Sequence, residues 1–332
     1  NRETKKIYGS RLTEGALSHF NGNQISFSDN SSTDIDGSKP FIVSTGNGAY
    51  VATFDGLSGN KIIRINRLNN ELQNMWANDG VEILSTNTQR DVILVPKEDG
   101  VACFWSEFGL FTFDLMYQKL GSDGVFEFTS GSIPIATGGV DKYTQNVIPT
   151  PDGNYIIFWI EDVWRARSLK YKKINIDGST GVGWPSNGYS LNLTNSDGSN
   201  LKVKTISDSE GILAVWNQYS NFSDSDIYAQ KIDWDGVVQW ESFGIPICIA
   251  DNDQSAISFD IDGDGSYAFV SWEDNRNGTD FNIIGKEIDI NSGMVSSEDI
   301  YFTSDTTGQH RPLVKAVAPR EFILVWEDGR GY

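Results

Sequence analysis

Two observations predict an all-β repeat protein, a closed six-bladed β-propeller spanning residues 1–332 as one domain. One short apolar segment recurs six times along the chain, and an aromatic-ended run recurs in step with it. The composition agrees. The 33 Gly cluster with Asp, Asn and Ser, which tolerate tight turns, and apolar and aromatic contents of 39% and 12% suffice for a packed core.

The recurring segment is Ile7–Leu12, Ile63–Leu68, Leu115–Leu120, Leu169–Ile174, Ile227–Ile232 and Ile283–Ile288. The aromatic markers are Phe54, Trp105, Trp159, Trp216, Trp272 and Trp326, and both sets share a period of about 55 residues. The segment 256–272 shows what fills a period. An extended run, Ala256–Asp260, meets a Gly263-Asp264-Gly265 turn and returns as Tyr267–Trp272. Gly supplies positive φ at hairpins, and Val, Ile, Tyr, Phe and Trp suit a half-buried pleated surface. With the recurring segment and a run such as Gly244–Ile247, each period holds four antiparallel strands, A to D from the channel outward. Leucine-rich, ankyrin and tetratricopeptide solenoids need a helix in each unit, and no helical period is present.

The chain ends are complementary. Residues 7–12 and 22–26 read as C and D strands, whereas Pro312–Val317 and Phe322–Trp326 read as A and B strands. Pairing the N-terminal C/D strands with the C-terminal A/B strands completes a sixth blade and covers an edge that would otherwise invite aggregation. Both termini cut through a repeat, as expected of a piece of a longer product.

The fifth repeat carries Trp272-Glu273-Asp274-Asn275-Arg276, preceded by Asp226-Ile227-Tyr228-Ala229-Gln230-Lys231-Ile232-Asp233, and the sixth echoes it in Trp326-Glu327-Asp328-Gly329-Arg330. These motifs resemble the propeller repeats of large secreted bacterial proteins, Bacteroidetes-like and often exported by type IX secretion. Phe54-Asp55 and Trp216-Asn217-Gln218 depart from the pattern. The resemblance implies an extracellular or surface-attached protein, with secretion machinery engaged through domains outside this chain. It names no substrate.

The formal net charge of −19 repels phosphate backbones and anionic lipid, which excludes nucleic acid as a partner. No apolar stretch approaches the ~20 residues of a membrane span. Cys103 and Cys248 lie in apolar runs of different repeats and read as buried free thiols. With only His19 and His310, multi-histidine metal sites are excluded and no catalytic residue stands out.

Acids follow most B strands: Asp55, Glu107, Glu161 with Asp162, Glu273 with Asp274, and Glu327 with Asp328. They read first as tethers to the cations of the C strands (Arg11, Arg67, Lys119, Lys173, Lys231), and second as a rim that could bind a cation or an amine. Blade-specific departures are the better ligand candidates. Asp162, Trp164, Arg165 and Arg167 crowd one rim loop, and Arg90, Lys142, Tyr143, His310 and Arg311 stand on neighbouring loops. Aromatic, Arg and carboxylate together suit a sugar or an anionic polymer. Asp260, Asp262 and Asp264 match the start of a calcium loop, but the acid that should close it is Ser271, so a hairpin turn is the first reading and no cofactor is expected. The leading expectation is a binding or adhesion module for a carbohydrate or protein partner. Its alternatives are a polysaccharide-active hydrolase or lyase using rim carboxylates, and a structural spacer.

Overall fold

A computed structural model describes residues 8–9, 25–26, 40–55, 61–76, 80–163, 166–192, 197–207, 210–219, 224–303 and 307–329. Among them the protein is all-β with no helix. The chain divides into two compact units, 1–147 and 148–332.

The first unit holds two four-stranded antiparallel sheets. One runs Phe41–Thr45, Gly48–Asp55, Ile62–Asn69, Val81–Glu82; the other runs Gln89–Lys97, Gly100–Phe108, Phe113–Gly121, Ile133–Ala136. Near the N-terminus, Tyr8–Gly9 pairs with Ile25–Ser26. The next sheet is headed by Asp141–Pro149 and continues with Tyr155–Asp162, Ser168–Ile174 and Tyr189–Ser190. The second unit then builds Asp197–Ser207, Gly211–Tyr219, Ser225–Ile232, Ile245–Cys248. Its following sheet is Gln254–Ile261, Tyr267–Asp274, Asn282–Asp289, Met294–Val295, with Ile300–Tyr301 also on the third strand. Gln309–Ala318 and Glu321–Asp328 form a two-stranded sheet at the C-terminal end. The four-stranded antiparallel sheets follow the repeat, because the apolar period of two and the Asx-Gly turns act locally, and Ile300–Tyr301 is a fifth strand that the repeat does not place.

The repeated aromatics are the core. Trp105, Trp159, Trp216 and Trp272 are all fully buried. Glycine makes room for them: a Cβ at Gly244, which sits at φ +90°, would meet the Trp216 ring at 2.4 Å. A second set of Trp staples neighbouring sheets. Trp184 lies on Gly236, where a Cβ would come within 2.1 Å of its ring, and Trp76 donates its indole N–H to the Ser122 carbonyl at 2.9 Å.

A β-bulge interrupts four of the first strands at one equivalent place, between Arg90 and Ile93, Ser199 and Lys202, Ser255 and Ser258, and His310 and Leu313. Asp91, Asn200, Ala256 and Arg311 occupy it with φ of 52°, 49°, 48° and 55°. Such a bulge re-aims side chains at a strand end.

Among the described residues no ion pair of the expected kind joins the acids after second strands to Arg67, Lys119, Lys173 or Lys231, and Arg11 lies outside those residues. Antiparallel register sets Lys173 opposite Ile156 and leaves Glu161 opposite Ser168, at the other end of the strand. The lysines instead pair with acids at the first hairpin, Lys173 with Asp152 and Lys231 with Glu210, both at 2.7 Å. Both cysteines are buried free thiols, as expected.

Candidate functional site

Along a strand, side chains alternate between faces, so the two residues after each core Trp go opposite ways. The second turns inward to the indole. Trp105 Nε1–H donates to Glu107 at 3.0 Å, Trp159 to Glu161 at 3.4 Å, and Trp272 to Asp274 at 2.8 Å. Glu107 also accepts from Gln89 and Ser85, and Asp274 is gripped by the Arg276 guanidinium through Nε and Nη2, each at 2.7 Å. These carboxylates are occupied by the fold.

In three sheets the first residue after the Trp turns the other way and bonds to the next first strand. Ser106 Oγ accepts the Thr144 N–H at 3.0 Å, and Asn217 Nδ2 donates to the Gln254 carbonyl at 2.6 Å. Glu273 does the same work with a charge. Its Oε1 accepts the Arg311 backbone N–H at 2.7 Å and its Oε2 lies 3.2 Å from His310 Nδ1.

Glu273 therefore contacts both His310 and Arg311. The His310 ring is partly exposed and rests against Phe281, with centroids 5.5 Å apart. Gly308 borders its other nitrogen: a Cβ there would stand 2.8 Å from Nε2. Arg311 Nη1 reaches both oxygens of Glu327, at 3.0 and 3.2 Å. Arg311, next to His310 in the chain, borders a cavity of about 490 Å³ lined also by Asn200, Lys202, Ala256, Trp326 and Glu327, with Ile257, Pro312, Leu313 and Val325 as its apolar wall; His310 itself is not in the lining. Three of the bulge residues line it. Unlike the four buried Trp, Trp326 presents part of its ring, with 36% exposure.

The remaining candidates form other groups. In the first unit Arg90 lies over the Tyr143 ring at 4.7 Å and the Phe113 ring at 5.4 Å, its Nε on Asp91 at 2.8 Å. Lys142 is buried, its ammonium donating to the carbonyls of Gly138 and Val140, so it braces the loop beneath the rim. In the second unit Arg167 Nε meets Asp162 at 3.4 Å. Trp164 and Arg165 lie outside the described residues.

The acidic hairpin is a turn. Asp262 Oδ1 accepts the Tyr267 N–H and Asp264 Oδ1 the Ser266 N–H, both at 3.0 Å. Asp260 points elsewhere, to Lys204 at 2.6 Å and Lys315 at 2.8 Å. Burial would raise its carboxyl, but these lysines and the N–H groups of Ala316 and Ile261 hold it well below the usual carboxylate range. Among the described residues no three His, Cys, Asp or Glu side chains are grouped to hold a metal ion.

Glu273 was legible only as one of many rim acids, and Glu327 and Trp326 only as repeat markers. The missed signal was strand alternation: if the second residue after Trp serves the indole, the first must face outward.

No family model matches the sequence and no curated protein is similar to it. Several solved structures are similar. The polysaccharide lyase Uly1 has a TM-score of 0.54 at 9% identity, over 99% of this chain and 95% of its own. Puromycin hydrolase has a TM-score of 0.52 at 13% identity, over 92% of this chain and 47% of its own. A thermostable family-43 glycoside hydrolase has a TM-score of 0.43 at 10% identity, over 81% of this chain and 94% of its own. The lyase and the puromycin hydrolase are named as enzymes and not as binding modules, so the expectation of a binding or adhesion module gives way to its polysaccharide-active alternative. At such identities what the chain shares with the lyase and the puromycin hydrolase is a fold, one of antiparallel β-propeller type.

Proposed function

We propose that this chain is a polysaccharide-cleaving enzyme of lyase type, working at the cavity beside His310 and Arg311. The observation that carries the reading is the Glu273–His310–Arg311 arrangement. With Nδ1–H donated to Glu273, the imidazole keeps its lone pair on Nε2, the form a general base requires. Arg311 supplies a planar cation suited to a carboxylate.

Acting on a uronate, the chemistry is a β-elimination. His310 takes the proton on the carbon α to the carboxylate, whose developing charge Arg311 stabilises. The C–H electron pair becomes the new carbon–carbon double bond, the glycosidic C–O bond at the next carbon breaks, and the departing oxygen takes up a proton. Hydrolysis by a pair of carboxylates fits less well, since Glu273 already accepts from both His310 and the Arg311 N–H.

Incubation with uronate-containing and neutral polysaccharides tests this, following both reducing ends and the ultraviolet absorbance of unsaturated ends. Unsaturated ends that disappear in His310→Ala are expected. Reducing ends without unsaturation would replace elimination with hydrolysis, and neither product would defeat the enzyme reading.

We also infer a closed six-bladed ring. The apolar segment recurs six times, while the two-stranded sheets near the chain ends correspond to complementary halves of a blade: third and fourth strands at residues 8–9 and 25–26, first and second at residues 309–328. The extracellular setting implied by the repeat resemblance accords with an enzyme acting on a polymer.

A further inference from the structure

The first strands of the second unit carry an unusual charge for this chain. In a protein of net charge −19, these first strands carry Lys202, Lys204, Arg311 and Lys315 against two carboxylates, Asp197 and Asp260, with Glu273 and Glu327 of the second strands beside Arg311. Pairing is regular past each bulge: Lys202 faces Val215 and Lys204 faces Leu213, while Leu313 faces Val325 and Lys315 faces Ile323. Residues two apart on a regular strand share a face, about 7 Å apart. Lys202 and Leu313 line the cavity, so Lys204 and Lys315 continue the same two faces beyond it.

Asp260 ties the far end together, accepting Lys204 on one oxygen and Lys315 on the other. It is buried, yet the lysine side chains keep 39% and 76% of their exposure. An ammonium has three N–H donors, so each retains donors for a ligand. Lys202 is exposed and has no ion pair among the described residues. Cations held in place and left open to solvent in an acidic protein create a local field that favours an anionic chain over the neutral glycans the rest of the surface would tolerate.

We infer that Lys202, Lys204 and Lys315 form a binding track for a polyanionic polysaccharide, one bearing carboxylate or sulfate groups on successive sugars, leading into the cavity beside Arg311. This rests on the enzyme reading above and adds the substrate class and the subsites beyond the sugar that reacts.

Binding measured with the His310→Ala protein, which removes the proposed base and leaves the track, separates the two claims. Calorimetric titration with heparin-derived and polygalacturonate oligosaccharides, alongside a neutral cello-oligosaccharide of equal length, is read across a salt series. Anionic oligosaccharides should bind with an affinity that falls linearly with log salt concentration, as counterion release requires, and the neutral one should not bind. Lys202→Gln/Lys204→Gln should weaken anionic binding about tenfold and flatten the salt slope. Because Lys204 supports Asp260, Lys202→Gln alone, at an exposed position, gives a fold-neutral check and should shift both readings in the same sense. Preference for sulfated over carboxylated chains, or the reverse, assigns the anionic group.

Equal binding of neutral and anionic chains, or salt-insensitive binding unchanged in these variants, would overturn the track. If the anionic chains bind as described while the wild-type protein yields neither unsaturated nor reducing ends, the enzyme reading fails and the track stands. If wild-type protein cleaves a neutral polymer and ignores anionic ones, the track fails and cleavage stands.

Discussion

Asn217 and Glu273 occupy the same place in adjacent sheets, one residue past a buried Trp, and both fasten the next first strand. The fold needs only a hydrogen bond there, and an amide provides one without a charge. Glu273 provides it while setting an anion against His310. The difference shows where a repeat protein can acquire chemistry. At the inward position Glu107, Glu161 and Asp274 accept from the indole; at the outward position Ser106, Asn217 and Glu273 bond the next strand and Ile160 stands in the same place, so the residue can vary.

The largest effect expected is on the inward side. Trp272→Ala should cost about 3–5 kcal/mol of stability, for a fully buried indole whose loss also strips Asp274 of a donor. Trp216→Ala should cost less within that range, because the Trp216 N–H finds no acceptor among the described residues and leaves none unpaired. Denaturant midpoints of the two variants measure the gap, and equal losses would erase the distinction. On the outward side, Glu273→Asn should leave the midpoint within about 1 kcal/mol of wild type while lowering turnover by about a hundredfold or more, the scale of losing an oriented base. The reverse exchange, Asn217→Glu, places a fully buried carboxylate against the Gln254 carbonyl, two acceptors face to face. A loss of about 1–3 kcal/mol is expected there, read by the same denaturation, with no gain in activity.

Strand alternation and turn residues explain why the sheets are legible in the sequence itself. The periodic Trp and the Asx-Gly turns report on local packing and local φ, so they need no tertiary information. The bulges left no such trace. Asp91, Asn200, Ala256 and Arg311 adopt positive φ without a glycine to mark them; Asn217 and Glu273 fasten the strand at the last two of these bulges. His310 and Arg311 were legible as departures from Ser255 and Ala256, the equivalent pair one repeat earlier. Lys142 looked like a rim cation and proved to be a buried brace, since sequence records a charge and not the carbonyls that consume it.

The smallest effect concerns a second exchange between the same two sheets. Gln218 pairs in register with Asp226, and Asp274 with Asn282, so acid and amide trade places across the ladder. Asp274 has Trp272 and Arg276 as partners. Asp226 is buried with no cationic partner among the described residues, and burial pushes its carboxyl up to about 6, with the Ala250 N–H opposing the rise and nearby Asp224 adding to it. A carboxyl raised in the folded state binds its proton more tightly there than in the unfolded chain. Between about pH 4 and 6 the folded state therefore holds more protons, and stability falls as pH rises across that window, remaining lower above it. Asp226→Asn keeps an acceptor for the Ala250 N–H and removes the titration. It should match wild type near pH 4 and exceed it by on the order of 1 kcal/mol at pH 7, with the gap opening between. Melting temperatures of both proteins from pH 4 to 8 measure this. A constant gap, or a variant less stable at pH 7, would mean that Asp226 has a cationic partner in solution and that the two sheets are balanced alike.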